Sequence, residues 1–98
     1  MRVAEYRLTP AAERDFDDIF DYTAQRWDLE QAFRYTQKLD EALQVLADSP
    51  TLGLDSGEIR AGYRRHIVGS HVVYFQRTGY GIAVIRILHG NMNPLGRL

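Results

Sequence analysis

The side chains able to do chemistry in this sequence gather in its second half. Arg60, Arg64, Arg65, His71, Tyr74, Arg86 and His89 all fall between positions 60 and 89. Guanidinium groups hold phosphates and carboxylates, and an imidazole can carry a proton either way near neutral pH. Arg86 stands alone in the apolar run Ile82–Leu88. Burying it unpaired would cost several kcal/mol, so it needs an anionic or carbonyl partner. That partner is either an external anion or an internal carboxylate, with Glu5 and Glu58 as candidates. Strand alternation sets Arg86 opposite Ile85 and Ile87 and sends Arg64 and Arg65 to opposite faces, so at most one of that pair joins Arg86. His71 and His89 sit at expected strand ends, where a hydrogen-bonded structural role competes with acid–base work.

Other chemistries lack their residues. The chain has no cysteine, which removes disulfides and thiolate metal sites. No His/Asp/Glu set has ligand spacing, so neither a metal nor a cofactor is expected. Gly79 and Gly81 join two strands and open no helix, which is not the setting of a phosphate-binding glycine loop. No nucleophile elbow occurs. Apolar residues make up 45% and charged residues 26%, the balance of a folded domain rather than a disordered chain. Ninety-eight residues suit a single domain, 1–98, with 89–98 as an irregular tail. No signal peptide is read at the start, and no apolar run nears the roughly 20 residues of a membrane span, so a cytoplasmic protein is expected.

The net charge of −1 conceals a division. Residues 1–50 hold 6 Lys/Arg against 11 Asp/Glu, and residues 51–98 hold 6 Arg against 2 Asp/Glu. A basic half can attract an acidic partner or simply the acidic half of its own chain.

These residues need elements to position them. Val3–Leu8 alternates as a strand, with Ala4, Tyr6 and Leu8 on one face. Thr9 then caps a helix with Pro10 at its first position. Ala12, Phe16, Ile19, Thr23 and Trp27 follow on a face that can bury, Asp15, Asp17, Asp18 and Asp21 crowd the early turns, and Arg14 can pair with Asp18. Asp28 and Gln31 form a capping-box start for a second helix, with Leu29, Ala32, Phe33, Thr36, Leu39, Leu43 and Leu46 as its apolar stripe. Ser49-Pro50 ends it. Two helices so closely joined form an antiparallel hairpin. Thr51–Gly62 reads as loop. Tyr63–Val68 and His71–Arg77 are strands joined by a type II′ turn at Gly69-Ser70, and Gly79-Tyr80-Gly81 leads into the strand Ile82–Leu88. The fold class is α+β: an N-terminal strand and a helical hairpin packed on one face of a small, mainly antiparallel sheet. The other face has no helix to cover it and is where a partner would lie.

Four strings, in order, resemble the ParE branch of the RelE/ParE toxin superfamily: YRLTPAAERDFDDIFDYTAQRW from Tyr6, the Ser49-Pro50 and Leu52-Gly53 punctuation, IRAGYRRHIVGSHVVYF from Ile59, and VIRILHGNMNP from Val84. The resemblance covers nearly the whole chain. It implies the toxin of a type II toxin–antitoxin system, inhibiting DNA gyrase and neutralised by a ParD-like antitoxin whose C-terminal segment wraps the toxin. DNA would be reached only through that antitoxin. Antitoxin contacts are expected at Tyr63, Arg65, His71, Tyr74 and Arg86. The superfamily's other branch cleaves mRNA on the ribosome without a metal. In that alternative Arg65, His71, Arg86 and His89 would be catalytic, but the set is incomplete: Lys38 is the sole lysine, and no tyrosine lies beyond Tyr80. A toxin fold that only binds its partner is a third possibility.

Overall fold

The expected helix starts are built as the sequence requires. In the structure, a computed structural model describing residues 3–98, the Thr9 side chain accepts the Ala12 N–H and opens α1, Pro10–Arg26. Asp28 accepts the Gln31 N–H at 2.8 Å and opens α2, Leu29–Asp48. The two helices lie side by side as a hairpin on one face of a five-stranded sheet. The first two positions of the expected domain lie outside the described residues.

The strands are β1 (Glu5–Leu8), β2 (Leu54–Asp55), β3 (Tyr63–Val68), β4 (His71–Thr78) and β5 (Gly81–His89). Their spatial order is β1-β5-β4-β3-β2. The three long strands are antiparallel neighbours, as their turn signals predict, whereas β1 lies parallel to β5. The span expected as loop is more structured: Pro50–Leu52 forms a 3-10 turn, and β2 adds a short edge to β3. Gly69 turns β3 into β4 with φ of +58°, the positive angle a type II′ turn needs at its first central residue. Gly81 serves a different purpose. A Cβ there would lie 2.1 Å from the Glu5 carbonyl oxygen, so its absence lets β1 close onto β5.

Between sheet and hairpin lies the core, with Leu39, Leu43 and Leu46 from α2 against Val73, Phe75, Ile82 and Val84. Ala4, Tyr6 and Leu8 pack on it, so the alternation of β1 points the expected way. The helical stripes bury less than their periodicity suggests. Trp27, Leu29 and Phe33 are exposed at 68%, 61% and 62%, because the tip of the hairpin is not covered by the sheet. Arg14 and Asp18 make no ion pair among the described residues, and both are exposed.

One irregularity sets the direction of the critical side chains. Tyr74 pairs with Arg86, but Phe75 pairs with Val84, so Ile85 has no partner on β4. This bulge shifts the alternation by one residue. Ile82 and Val84 face the core before it and Ile87 after it, while Ile85 is only half-buried. The expectation that Ile85 and Ile87 form one inward pair is therefore corrected.

Candidate functional site

Register separates the candidate residues into two groups. Arg65, Tyr74 and Arg86 are cross-strand neighbours in one row on β3, β4 and β5. They lie on the face away from the helices, since Val73 and Phe75, the neighbours of Tyr74, both enter the core. Tyr63 shares that face two residues from Arg65. Although no helix covers this side, Tyr63, Tyr74 and Leu88 are buried there, so it is less open than expected. The chain beyond His89 makes turns without helix or strand and returns to the row, where the Arg97 carbonyl accepts from Arg86 Nη1 at 2.7 Å.

Arg86 finds an internal partner, but neither of those expected. Its Nε and Nη2 donate to the two oxygens of Asp15 at 2.7 and 2.8 Å. Asp15 Oδ2 also accepts the Ile87 N–H at 2.9 Å. β1 pairs β5 only as far as Val84, and the start of α1 takes over from there. Thr9 donates its N–H to the Val84 carbonyl and its hydroxyl to the Ile85 carbonyl. Asp15 thus ties the uncovered length of β5 to α1, and its carboxylate holds the Arg86 guanidinium in its charged form, raising its pKa. Glu5 instead pairs with Arg7, and Glu58 with Arg65.

Arg65 is held more loosely. Its Nη1 donates to Ser56 Oγ at 2.7 Å, to the Asp55 carbonyl at 3.2 Å and to Glu58 at 3.3 Å. Arg64, on the helix side, donates to the Pro50 and Gly53 carbonyls and secures the 3-10 turn. Arg60 is exposed in the loop before β3.

His71 does not belong to the Arg86 row. It pairs across the ladders with Val68 and His89 and lies on the helix side, beside the open end of the hairpin. Its Nδ1 is 2.6 Å from the Tyr35 hydroxyl, which also accepts the Ser70 N–H. The His71 and His89 rings meet edge to face with centroids 5.5 Å apart. Burial, then the nearby His89, lower the His71 pKa, against a smaller opposing pull from Asp15. The set Arg65, His71, Arg86 and His89 is therefore divided between the two faces, with Arg86 already paired to Asp15. Asp15 and Tyr35, the groups that hold Arg86 and His71, were not among the sequence candidates. Asp15 read as one more helix-start acid, and Tyr35 falls outside the apolar stripe of its helix. No group of three or more His, Asp or Glu side chains able to hold a metal occurs among the described residues.

The architecture and surface define a small two-layer α+β domain with a cationic and aromatic row on the face opposite its helical hairpin. Residues 6–94 match the family described as ParE toxin of type II toxin-antitoxin system, parDE. The chain is 43% identical to Toxin ParE1 of Caulobacter vibrioides, covering 95% of this chain and 96% of that one. It is 40% identical to Toxin ParE1 of Mycobacterium tuberculosis, covering 92% and 93%. Among solved structures, a chain of the chromosomal ParDE TA system from P. aeruginosa superposes with a TM-score of 0.75 at 21% identity, covering 89% of this chain and 96% of that chain. That likeness is one of fold. The chain belongs to the ParE toxin family of type II toxin–antitoxin systems. Among the described residues, no helix is long and apolar enough to cross a membrane.

Proposed function

We propose that this toxin acts by binding rather than by catalysis, that DNA gyrase is its target, and that a ParD-like antitoxin silences it in the cytoplasm. The observation that carries the reading is the family match across residues 6–94. The geometry supports a binding mode. On the outer face of the sheet Arg65 stays partly exposed, its guanidinium only partly engaged by Glu58, above the buried rings of Tyr63 and Tyr74. An acidic, amphipathic antitoxin segment lying there would meet complementary charge. His71 faces the other way and Arg86 ties β5 to α1, so the proposed contact on this face centres on Arg65. Separation of His71 and His89 from Arg65 across the sheet speaks against the ribonuclease alternative, which needs these groups around one phosphate.

The test uses antitoxin-free protein in two parallel reactions. One holds gyrase, ATP and plasmid and is scored for trapped double-strand breaks. The other holds translating ribosomes and is scored for mRNA cleavage. Breaks that disappear on adding antitoxin are the expected result. Cut mRNA with intact plasmid would overturn the reading.

A further inference from the structure

The side chains left over from the toxin reading meet at one place. Where the hairpin tip faces the β3–β4 turn and the end of β5, a cavity of about 370 Å³ opens to solvent. No carboxylate lines it, although the first half of the chain holds 11 of the 13 acidic residues. Arg26, His71 and His89 supply its positive and proton-donating groups, and Trp27 and Tyr22, each 68% exposed, stand at the same cavity.

Two internal hydrogen bonds orient the imidazoles. Asn91 N–H donates to His89 Nδ1 at 3.2 Å, so the neutral His89 ring carries its hydrogen on Nε2. The Tyr35 hydroxyl lies 2.6 Å from His71 Nδ1 and 3.2 Å from the Val68 carbonyl. Where the hydroxyl donates along the shorter contact, the His71 hydrogen sits on Nε2 as well. Neither Nε2 has a hydrogen-bond partner among the described residues, and the His89 side chain is exposed. Arg26 makes no ion pair among the described residues, although its guanidinium lies 5.6 Å from the centre of the Trp27 ring.

We propose that this cavity is a nucleotide-binding pocket, taking a phosphate on Arg26 and the two imidazole N–H groups and a base against the exposed ring of Trp27 or Tyr22. Three donors without an acceptor call for an anion. The adjacent rings call for a planar group, and base–aromatic stacking needs no sequence preference. A volume at the small end of ligand pockets suits one nucleotide unit and is too small for a folded peptide element. The pocket lies on the opposite side of the sheet from the Arg65–Tyr74 row, so it is independent of the antitoxin assignment.

Trp27 is the sole tryptophan and reports on the site directly. The full chain is titrated separately with adenosine 5′-monophosphate, adenosine, inorganic phosphate and a glutamate-rich peptide. Tryptophan fluorescence and the histidine ring-proton NMR signals are followed together. The expected result is saturable quenching by the mononucleotide, tighter than by adenosine or phosphate alone, with both His71 and His89 signals moving. Arg26→Ala and His89→Ala alter exposed side chains and should each weaken binding about tenfold or more, the loss expected for a hydrogen bond to a charged group. Arg77→Ala, at the opposite end of β4, should leave it unchanged. Absence of saturation at millimolar nucleotide, tighter binding of phosphate alone or of the peptide, or equal weakening by Arg77→Ala would each overturn the proposal.

Discussion

Asp15 and Arg86, 71 positions apart, form a two-pronged pair that joins the first helix to the strand beside it. The pair is largely buried, with side-chain exposures of 12% and 25%. Because Asp15 also accepts the Ile87 N–H, one carboxylate serves both the guanidinium and the otherwise unpaired backbone of β5. It makes the most conspicuous cation in the sequence part of the scaffold.

Removing either partner leaves the other without its match. Asp15→Ala and Arg86→Ala should each lower stability by about 2–4 kcal/mol, a little under the roughly 3–5 kcal/mol of a fully buried pair because Arg86 keeps 25% of its side chain exposed. Asp15→Asn should cost less, since an amide oxygen can still accept. Urea unfolding monitored by far-UV circular dichroism gives the values, and a loss below 0.5 kcal/mol for Asp15→Ala, roughly that of a surface site, would refute the bridging role.

The junction of β1 with β5 depends on a missing side chain. Gly81 has φ of +143°, and its would-be Cβ meets the Glu5 backbone. Gly81→Ala should therefore destabilise the protein by about 2–5 kcal/mol through backbone strain and overpacking together. Hydrogen exchange should show the loss first at Tyr6 to Leu8. Retained protection there would mean the strand accommodates the methyl group.

Arg65 gives the most direct test of the antitoxin surface. Its side chain is 37% exposed, and its bonds to Ser56 and Glu58 leave donors for a partner. Arg65→Ala should weaken antitoxin binding by about 1–3 kcal/mol in calorimetric titration. An unchanged dissociation constant, with the fold intact, would remove Arg65 from the interface.

His71 gives stability a pH dependence of known sign. Its folded pKa lies below the ordinary 6.5, chiefly through burial. As pH falls through that value, the unfolded chain takes up the proton before the folded one. The unfolded state then binds more protons, and stability must drop toward acid until the folded pKa is passed. His71→Gln should flatten this part of the profile below pH 6.5, as measured by thermal unfolding across pH 5–8. An unaltered slope would assign the effect to other groups.

Several features were legible because they depend on near neighbours. Thr9 and Asp28 cap the helices they were expected to cap, and Gly69 turns the hairpin it was expected to turn. Leu39, Leu43 and Leu46 bury as helical spacing directs. Trp27, Leu29 and Phe33 follow the same spacing yet remain exposed, because periodicity locates a face and cannot say how far the sheet extends beneath it.

The sequence by itself determined where the helices begin and end, which strands form hairpins, and that Arg64 and Arg65 point apart. Each is a matter of caps, turns and alternation within a few residues. Only the tertiary structure decided that β1 runs parallel along β5, that a bulge at Ile85 resets the alternation, and that Asp15 rather than Glu5 or Glu58 meets Arg86. It alone brought Tyr35 and His89 to His71 and parted them from Arg65. Those choices turn on which distant segments lie side by side, and a buried charge takes whichever partner the packing brings within reach.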